Sequence, residues 1–415
     1  MTTPEDNLVD RFEATVNPGL ARIQRFMGLT AVEAGGFGAE VWDETGQRYL
    51  DLGGGYGVFV HGYRHPRIVA AAVRQLEQLP LSSRVLLNRP MVALAEELRA
   101  LTPGDLQYSF FCNSGAEAVE AALKFARAAT GRTHFVAAEG AFHGKTFGAL
   151  SVSGRRLYRE PFEPLLPGVR HVPFGSVEAL EAAVGPETAA VVLEPIQGEG
   201  GVIVPPPGYL AAARRICDRA GALLIVDEVQ TGMGRTGTLF AVEQEEVVPD
   251  LMTLAKGLGG GVVPIGAVVG RPGAFRFFEE APLLHTSTFG GNPLAAAVAR
   301  EALRVMVEED LPGQARLKGA WLAGQLDQLA RQYPDIIREV RGRGLMLGLE
   351  LVTAGHAGAL MSEMFARHVL AVYTLNNERV IRFMPPLVIT EQQLATVVER
   401  LADALAAVRA MDLEE

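Results

Sequence analysis

Between Ala189 and Asp227 the chain has two apolar runs separated by one amphipathic stretch. Ala189–Ile196 and Leu223–Val226 are short, continuous and rich in Val, Leu and Ile, the pattern of strands buried on both faces. Gly208–Gly221 reads as a helix that stops on a glycine, entered through the stiff Pro205–Pro207 connector. Two strands joined through a helix run parallel, because a tight hairpin cannot return the chain in the same direction. A parallel pair needs cover on both faces, so this unit commits the chain to an α/β architecture.

Related units flank it. Tyr108–Cys112 is a short apolar strand, followed by a small-residue turn and a helix at Ala118–Thr130. Thr133–Ala137, Gly168–Phe174, Leu251–Ala255 and Val263–Val269 read as further strands. The expectation is a mainly parallel sheet sandwiched by helices, with its ligand at the strand ends. Upstream, residues 8 to 30 are helical in pattern, and Ala39–Leu52 reads as a hairpin with its turn at Asp43–Gln47. The glycine cluster Gly53–Gly57 is either a close-packed stretch or a flexible linker. Pro66–Leu79 and Pro90–Leu101 are amphipathic helices. Downstream, a long helix from Asn292 leads to a helix at Gln314–Gln332, strands at Leu345–Val352 and Val380–Phe383, and a helix near Leu360–His368. A capping box, Thr390 to Gln393, starts the last helix. At 415 residues the chain exceeds one small core, so a large domain and a smaller α+β domain are expected.

A net charge of −10 argues against nucleic acid as a partner. Only Cys112 and Cys217 occur, both in apolar or helical surroundings, which suits buried thiols in a reducing compartment. No apolar run approaches a membrane span, and the acidic start MTTPEDNLVD lacks the basic and apolar parts of a signal peptide. A cytoplasmic protein is expected.

The strand Leu223–Val226 ends in Asp227 and Glu228, and the apolar stretch Leu251–Ala255 ends in Lys256, ahead of Gly257, Gly259, Gly260 and Gly261. A buried strand that ends in an acid, with a lysine at the tip of a later strand, suits pyridoxal phosphate (PLP). That cofactor attaches through a lysine amine and needs an acid to keep its ring nitrogen protonated. Taken singly, Lys256 reads as well as a loop lysine and Asp227 as a turn residue. Gly232–Gly237 also matches GxGxxG, but Asp227–Thr231 separate it from the strand and no clear helix follows. A dinucleotide site is therefore rejected. After the strand at Tyr108–Cys112, Asn113–Glu117 leads into a helix N-terminus, which fits either a phosphate site or a plain Ser/Asn cap.

The runs VDEVQTGMGRTG and LAKGLGGG, with 29 residues (256 − 227) from acid to lysine, resemble the class III (ω-)aminotransferases of PLP fold type I. The resemblance extends over nearly the whole chain. It implies that Ser114, Gly115 and Ala116 hold the PLP phosphate, that Phe142 stacks on the ring and Val229 packs on the opposite face, and that Gln230 donates to the ring oxygen. On the same basis Asp227 faces the ring nitrogen, Lys256 carries the cofactor, and Thr288 reaches the phosphate of the partner subunit in a homodimer. Arg382 would bind the carboxylate of an oxo acid, and Glu199 would pair with Arg382 when the substrate is an amine without one. His143 receives no role. The family division places residues 1–55 with the smaller domain, 56–305 in the large PLP-binding domain and 306–415 in the C-terminal small domain.

Several stretches resemble bacterial putrescine (diamine) aminotransferases more than the ornithine branch: YSFFCNSGA at Tyr108–Ala116, RHVPFG at Arg170–Gly175, IVPPPGYL at Ile203–Leu210 and TLNN at Thr374–Asn377. Lys145 stands where the acetylornithine and ornithine enzymes carry an arginine, and a lysine cannot make that arginine's planar fork. The expected reaction moves the terminal amine of putrescine or cadaverine to 2-oxoglutarate. Other ω-amino acid transferases, PLP racemases, decarboxylases and aminomutases share the same apparatus.

Overall fold

The computed structural model describes residues 7–411. Near the N-terminus, β1 (Glu33–Phe37), β2 (Glu40–Asp43) and β3 (Arg48–Asp51) form an antiparallel ribbon, with Glu40 opposite Leu50 and Trp42 opposite Arg48. The hairpin read from the sequence is there; β1 was not expected. Its segment EAGGF lacks apolar alternation because aromatic rings lie against its glycines. A Cβ at Gly35 would come within 2.8 Å of the Trp42 ring, and one at Gly36 within 2.8 Å of Tyr63.

The main sheet has seven strands: β4 (Tyr108–Cys112), β5 (His134–Ala138), β6 (Val169–Val172), β7 (Thr188–Leu193), β8 (Leu223–Asp227), β9 (Leu251–Leu254) and β10 (Gly266–Gly270). Their order is β4-β10-β9-β8-β7-β5-β6. From β6 to β9 every pairing is parallel, and only β10 runs against its neighbours β9 and β4. Every residue of β7 is buried, as its unbroken apolar sequence requires. The α/β architecture with a mainly parallel sheet is as expected.

The smaller domain carries β11 (Ile337–Arg343), β12 (Met346–Leu351), β14 (Val372–Thr374) and β15 (Asn377–Phe383) in the antiparallel order β11-β12-β15-β14. Between them β13 (Val369–Leu370) pairs in parallel with β3, with Val369 opposite Leu50. β11 was hidden because its charges alternate with too few apolar residues: Arg341 pairs with Glu339 at 2.7 Å and with Glu350 of β12 at 2.6 Å.

Two helical readings gain their bounds here. Residues 8 to 30, helical in pattern, divide into two helices, Leu8–Thr15 and Pro18–Phe26. Pro18 cannot donate to the first helix, and the Asn17 side chain accepts from Leu20 N at 3.0 Å to begin the second. The helix expected near Leu360–His368 runs from Ala354 to Ala366, capped by Thr353. The glycine cluster is packed rather than a loose linker. Gly54, with φ 54°, would place a Cβ 2.3 Å from the Met384 carbonyl oxygen. Cys112 and Cys217 are buried and unpaired. Among the described residues no helix is long and apolar enough to cross a membrane, and no cluster of His, Cys, Asp or Glu could hold a metal ion.

Candidate active site

The side chains singled out in the sequence converge at the carboxyl ends of the parallel strands. Asp227 closes β8 and Lys256 follows β9. Glu194 follows β7, and His143 lies on the loop after β5. Ser114–Ala116 leave β4 and open the 16-residue helix Gly115–Thr130. They surround a cavity of about 540 Å³, lined on one side by Ser114–Ala116 and on others by Phe142, Val229, Gln230 and Lys256. Ligands in open α/β sheets occupy this position outside the strand ends.

Asp227 is buried and accepts three hydrogen bonds. His143 Nδ1 donates to its Oδ2 at 2.8 Å, while Thr253 Oγ1 and Val229 N donate to Oδ1, each at 3.0 Å. Burial lowers the pKa of His143, but the Asp227 hydrogen bond and charge outweigh this and raise it above the ordinary histidine value. Glu194 sits behind them. Burial pushes its carboxyl up to about 7, although it accepts Phe142 N and Gly198 N at 3.1 Å each. Lys256 holds positive φ (46°) at the strand tip. Burial lowers its amine to about 8, with Glu199 and Asp227 pulling it back up and Arg382 pushing it further down.

Arg382, on β15, is wholly buried, and Glu199 meets it with a two-pronged ion pair, Nη1 to Oε1 at 2.5 Å and Nη2 to Oε2 at 2.8 Å. Burial raises the Glu199 pKa, but Arg382 dominates and holds the carboxyl below its ordinary value. The Tyr56 ring lies 5.3 Å from the Arg382 guanidinium carbon, and the Tyr56 carbonyl accepts from Gln230 Nε2 at 3.2 Å. Of the residues picked from sequence, Arg382 meets the cavity through Glu199 rather than lining it, and Thr288 stays away: it is exposed and does not line the cavity of its own chain.

A model for Aminotransferase class-III matches residues 25–405. The chain belongs to the class-III aminotransferases. An ornithine aminotransferase from Toxoplasma gondii is 35% identical, with a TM-score of 0.88 and 99% of each chain covered. An amine transaminase from an uncultivated Pseudomonas species is 32% identical, covering 91% of this chain and 95% of its own, with a TM-score of 0.86. A Bacillus anthracis aminotransferase is 28% identical over 98% of this chain and 100% of its own, with a TM-score of 0.90.

This class-III aminotransferase uses PLP, and its residues fit the cofactor. Gln230 lines the cavity, and its Oε1 is buried with no hydrogen-bond partner among the described residues. Gly115 is constrained on the same side, because a Cβ there would reach Val229 Cγ1 at 3.0 Å. A helix N-terminus, at which the Ser114 hydroxyl accepts from Glu117 N at 3.2 Å, an aromatic face at Phe142, a buried acid and a buried amine supply what a phosphorylated pyridine needs. His143, Glu194, Tyr56 and Thr253 carry the site as well, but sequence reasoning gave them no role. His143 and Asp227 are 84 residues apart along the chain, a separation that no local pattern bridges.

Proposed function

We propose that this class-III aminotransferase takes the terminal amino group of a diamine, putrescine or cadaverine, and passes it to 2-oxoglutarate, giving an aminoaldehyde that cyclises and glutamate. When bound, PLP supplies an aldehyde for the amino group and an electron-withdrawing ring that stabilises charge at the reacting carbon. Lys256 Nζ holds the cofactor and moves the proton at the substrate carbon, and an amine lowered toward neutrality suits that exchange. The Asp227 carboxylate keeps a proton on the cofactor's ring nitrogen, and His143 orients that carboxylate through Nδ1–H. Ser114, Gly115 and Ala116 take the phosphate, Phe142 and Val229 sandwich the ring, and Gln230 donates to its oxygen. Thr288 completes the phosphate site of the partner subunit in a homodimer. Residues 1–55 join the smaller domain formed by 306–415, against the large domain of 56–305.

The observation that carries the reading is the buried Glu199–Arg382 pair. A guanidinium kept only for oxo acids would be left buried and uncompensated whenever the donor lacks a carboxylate, a penalty of several kcal/mol, about 3–5. An internal carboxylate removes that penalty and withdraws when 2-oxoglutarate brings its own. The diamine preference draws on the stretches similar to putrescine enzymes and on Lys145. Lys145 is exposed, with its amine 4.3 Å from the Tyr158 ring centroid, and a lysine at this position cannot make an arginine's planar fork to a distal carboxylate. An ornithine-type reaction is the second reading, favoured by the 35% identity to the Toxoplasma gondii enzyme.

A donor panel of putrescine, cadaverine, ornithine and N-acetylornithine with 2-oxoglutarate separates the two. The diamines should have the highest kcat/KM, with one glutamate formed per amine consumed. Faster turnover of ornithine or N-acetylornithine overturns the diamine assignment. Product without glutamate would point instead to a racemase or aminomutase.

A further inference from the structure

Glu199 is held by more than its arginine. Leu375 N donates to Oε2 at 2.9 Å, and Asn376 N donates to the Glu199 carbonyl, also at 2.9 Å. Both donors belong to the tight turn Thr374–Asn377 that joins β14 to β15, where Thr374 Oγ1 donates to the Asn377 carbonyl at 2.7 Å. The turn therefore grips the backbone and the carboxylate of one residue at once.

The turn is itself tied down from the large sheet. Asn376 Nδ2 donates to the Gly140 carbonyl at 2.8 Å, on the loop that carries Phe142. The Leu375 carbonyl accepts from Arg155 Nη1 and, at 3.2 Å, from the Tyr158 hydroxyl. Arg155 also reaches Glu378 at 3.3 Å. Arg382, the other half of the pair, leaves the same strand and donates Nη2 to the Tyr373 carbonyl at 3.1 Å. The turn thus connects the partner of Glu199, Glu199 itself and the Phe142 loop.

A hydrogen bond from a backbone N–H to a carboxylate is charge-assisted and stronger than a neutral one. It is made only while Glu199 faces Arg382. Anything that steadies the turn therefore steadies the carboxylate-free arrangement of the site, and works against the arrangement an oxo acid needs. Neither Asn376 nor Tyr158 lines the cavity, and the turn they hold touches the Glu199 carboxylate through Leu375 N.

We propose that Asn376 is a positioning residue for the Glu199 carboxylate, and that the anchored Thr374–Asn377 turn sets how the enzyme divides its affinity between amine donor and oxo acid. This rests on the Glu199–Arg382 exchange described above. Loosening the turn costs the amine side and favours the oxo-acid side, whereas a merely structural lesion would weaken both.

The test uses the holoenzyme of Asn376→Ala and of the milder Tyr158→Phe, which removes a single hydroxyl donor to Leu375. Single-turnover rates are measured separately with putrescine and with 2-oxoglutarate. For Asn376→Ala the apparent KM for putrescine should rise about fivefold, the scale of one ordinary hydrogen bond. The KM for 2-oxoglutarate should fall or stay level. Tyr158→Phe should move both values in the same directions by less. In a Glu199→Ala background Asn376→Ala should have no further effect on the ratio. Equal losses in both half-reactions, or an unchanged effect in the Glu199→Ala background, overturn the proposal. If Glu199→Ala alone does not separate the half-reactions, the exchange itself is wrong. If it separates them and Asn376→Ala does not, only the role of the turn falls.

Discussion

Replacing Glu199 by Gln preserves shape and removes charge. In the native site the carboxylate receives Arg382 Nη1 at 2.5 Å, Arg382 Nη2 at 2.8 Å, Leu375 N at 2.9 Å and Gln230 Nε2 at 3.4 Å, all donors. A glutamine amide has one oxygen to offer, so its nitrogen must face donors on the other side. Arg382 is wholly buried, and among the described residues its guanidinium has, besides Glu199, the Tyr373 carbonyl at 3.1 Å as hydrogen-bond acceptor and the Tyr56 ring at 5.3 Å. Breaking a buried pair by removing one member costs about 3–5 kcal/mol, and the retained oxygen recovers part of it, leaving about 2–3 kcal/mol. At about 1.4 kcal/mol per tenfold, that is roughly 30- to 150-fold in the amine half-reaction. In the oxo-acid half the substrate carboxylate replaces the missing partner, so that rate should change by less than about threefold. Stopped-flow absorbance of the bound cofactor, with putrescine and 2-oxoglutarate added in separate experiments, reads the two halves directly. If both slow by the same factor, Arg382 does not exchange partners and the reasoning fails.

Other consequences can be checked independently. Borohydride reduction should fix the cofactor to Lys256, found by peptide mapping; a tag elsewhere, or the same tag in Lys256→Ala, removes the basis of the site. Mixing Thr288→Val subunits with Lys256→Ala subunits should recover activity through hybrid dimers that keep one intact site, and no recovery would count against a threonine shared across the dimer. A Cβ at Gly198 would lie 1.5 Å from Gln230 Oε1, so Gly198→Ala should displace Gln230 from Tyr56 and lower kcat roughly tenfold, the equivalent of one lost hydrogen bond; wild-type kcat would refute this. Burial pushes the Glu228 carboxyl up to about 7. Folded Glu228 therefore keeps a proton that the unfolded chain releases, so its contribution is complete below about pH 4.5 and is lost as pH rises through about 7. Up to about 3 kcal/mol is involved, and Glu228→Gln should flatten the fall in melting temperature between pH 5 and pH 8; parallel curves for the two proteins would contradict it.

The sequence was readable where one local cause decides. Gly221 ends its helix in the left-handed conformation, and the Thr390–Gln393 capping box forms with both reciprocal bonds. The strands flanking Gly208–Gly221 lie side by side in parallel, since no other connection suits them. Asp227, Lys256 and Ser114–Ala116 come together because each sits at a strand end of one sheet. What stayed hidden depends on distant partners. β1 is built around glycines that only Trp42 and Tyr63 explain, and β11 around arginines whose partners include Glu350 on the neighbouring strand and the distant Gln244. His143 looked idle until Asp227 stood beside it, and Asn376 has no local signal because its acceptor is the Gly140 carbonyl.

The pairing of β13 with β3 also bears on how the chain is made. Leu50 and Val369 are 319 residues (369 − 50) apart in synthesis order. A ribosome working at roughly 5–20 residues per second needs about 15–60 s to cover that interval. Throughout it one edge of the N-terminal ribbon is unmatched, an open template for strands of other nascent chains. Expression at low temperature or with chaperones in excess should therefore raise the soluble yield, and truncations before Val369 should collect in the insoluble fraction.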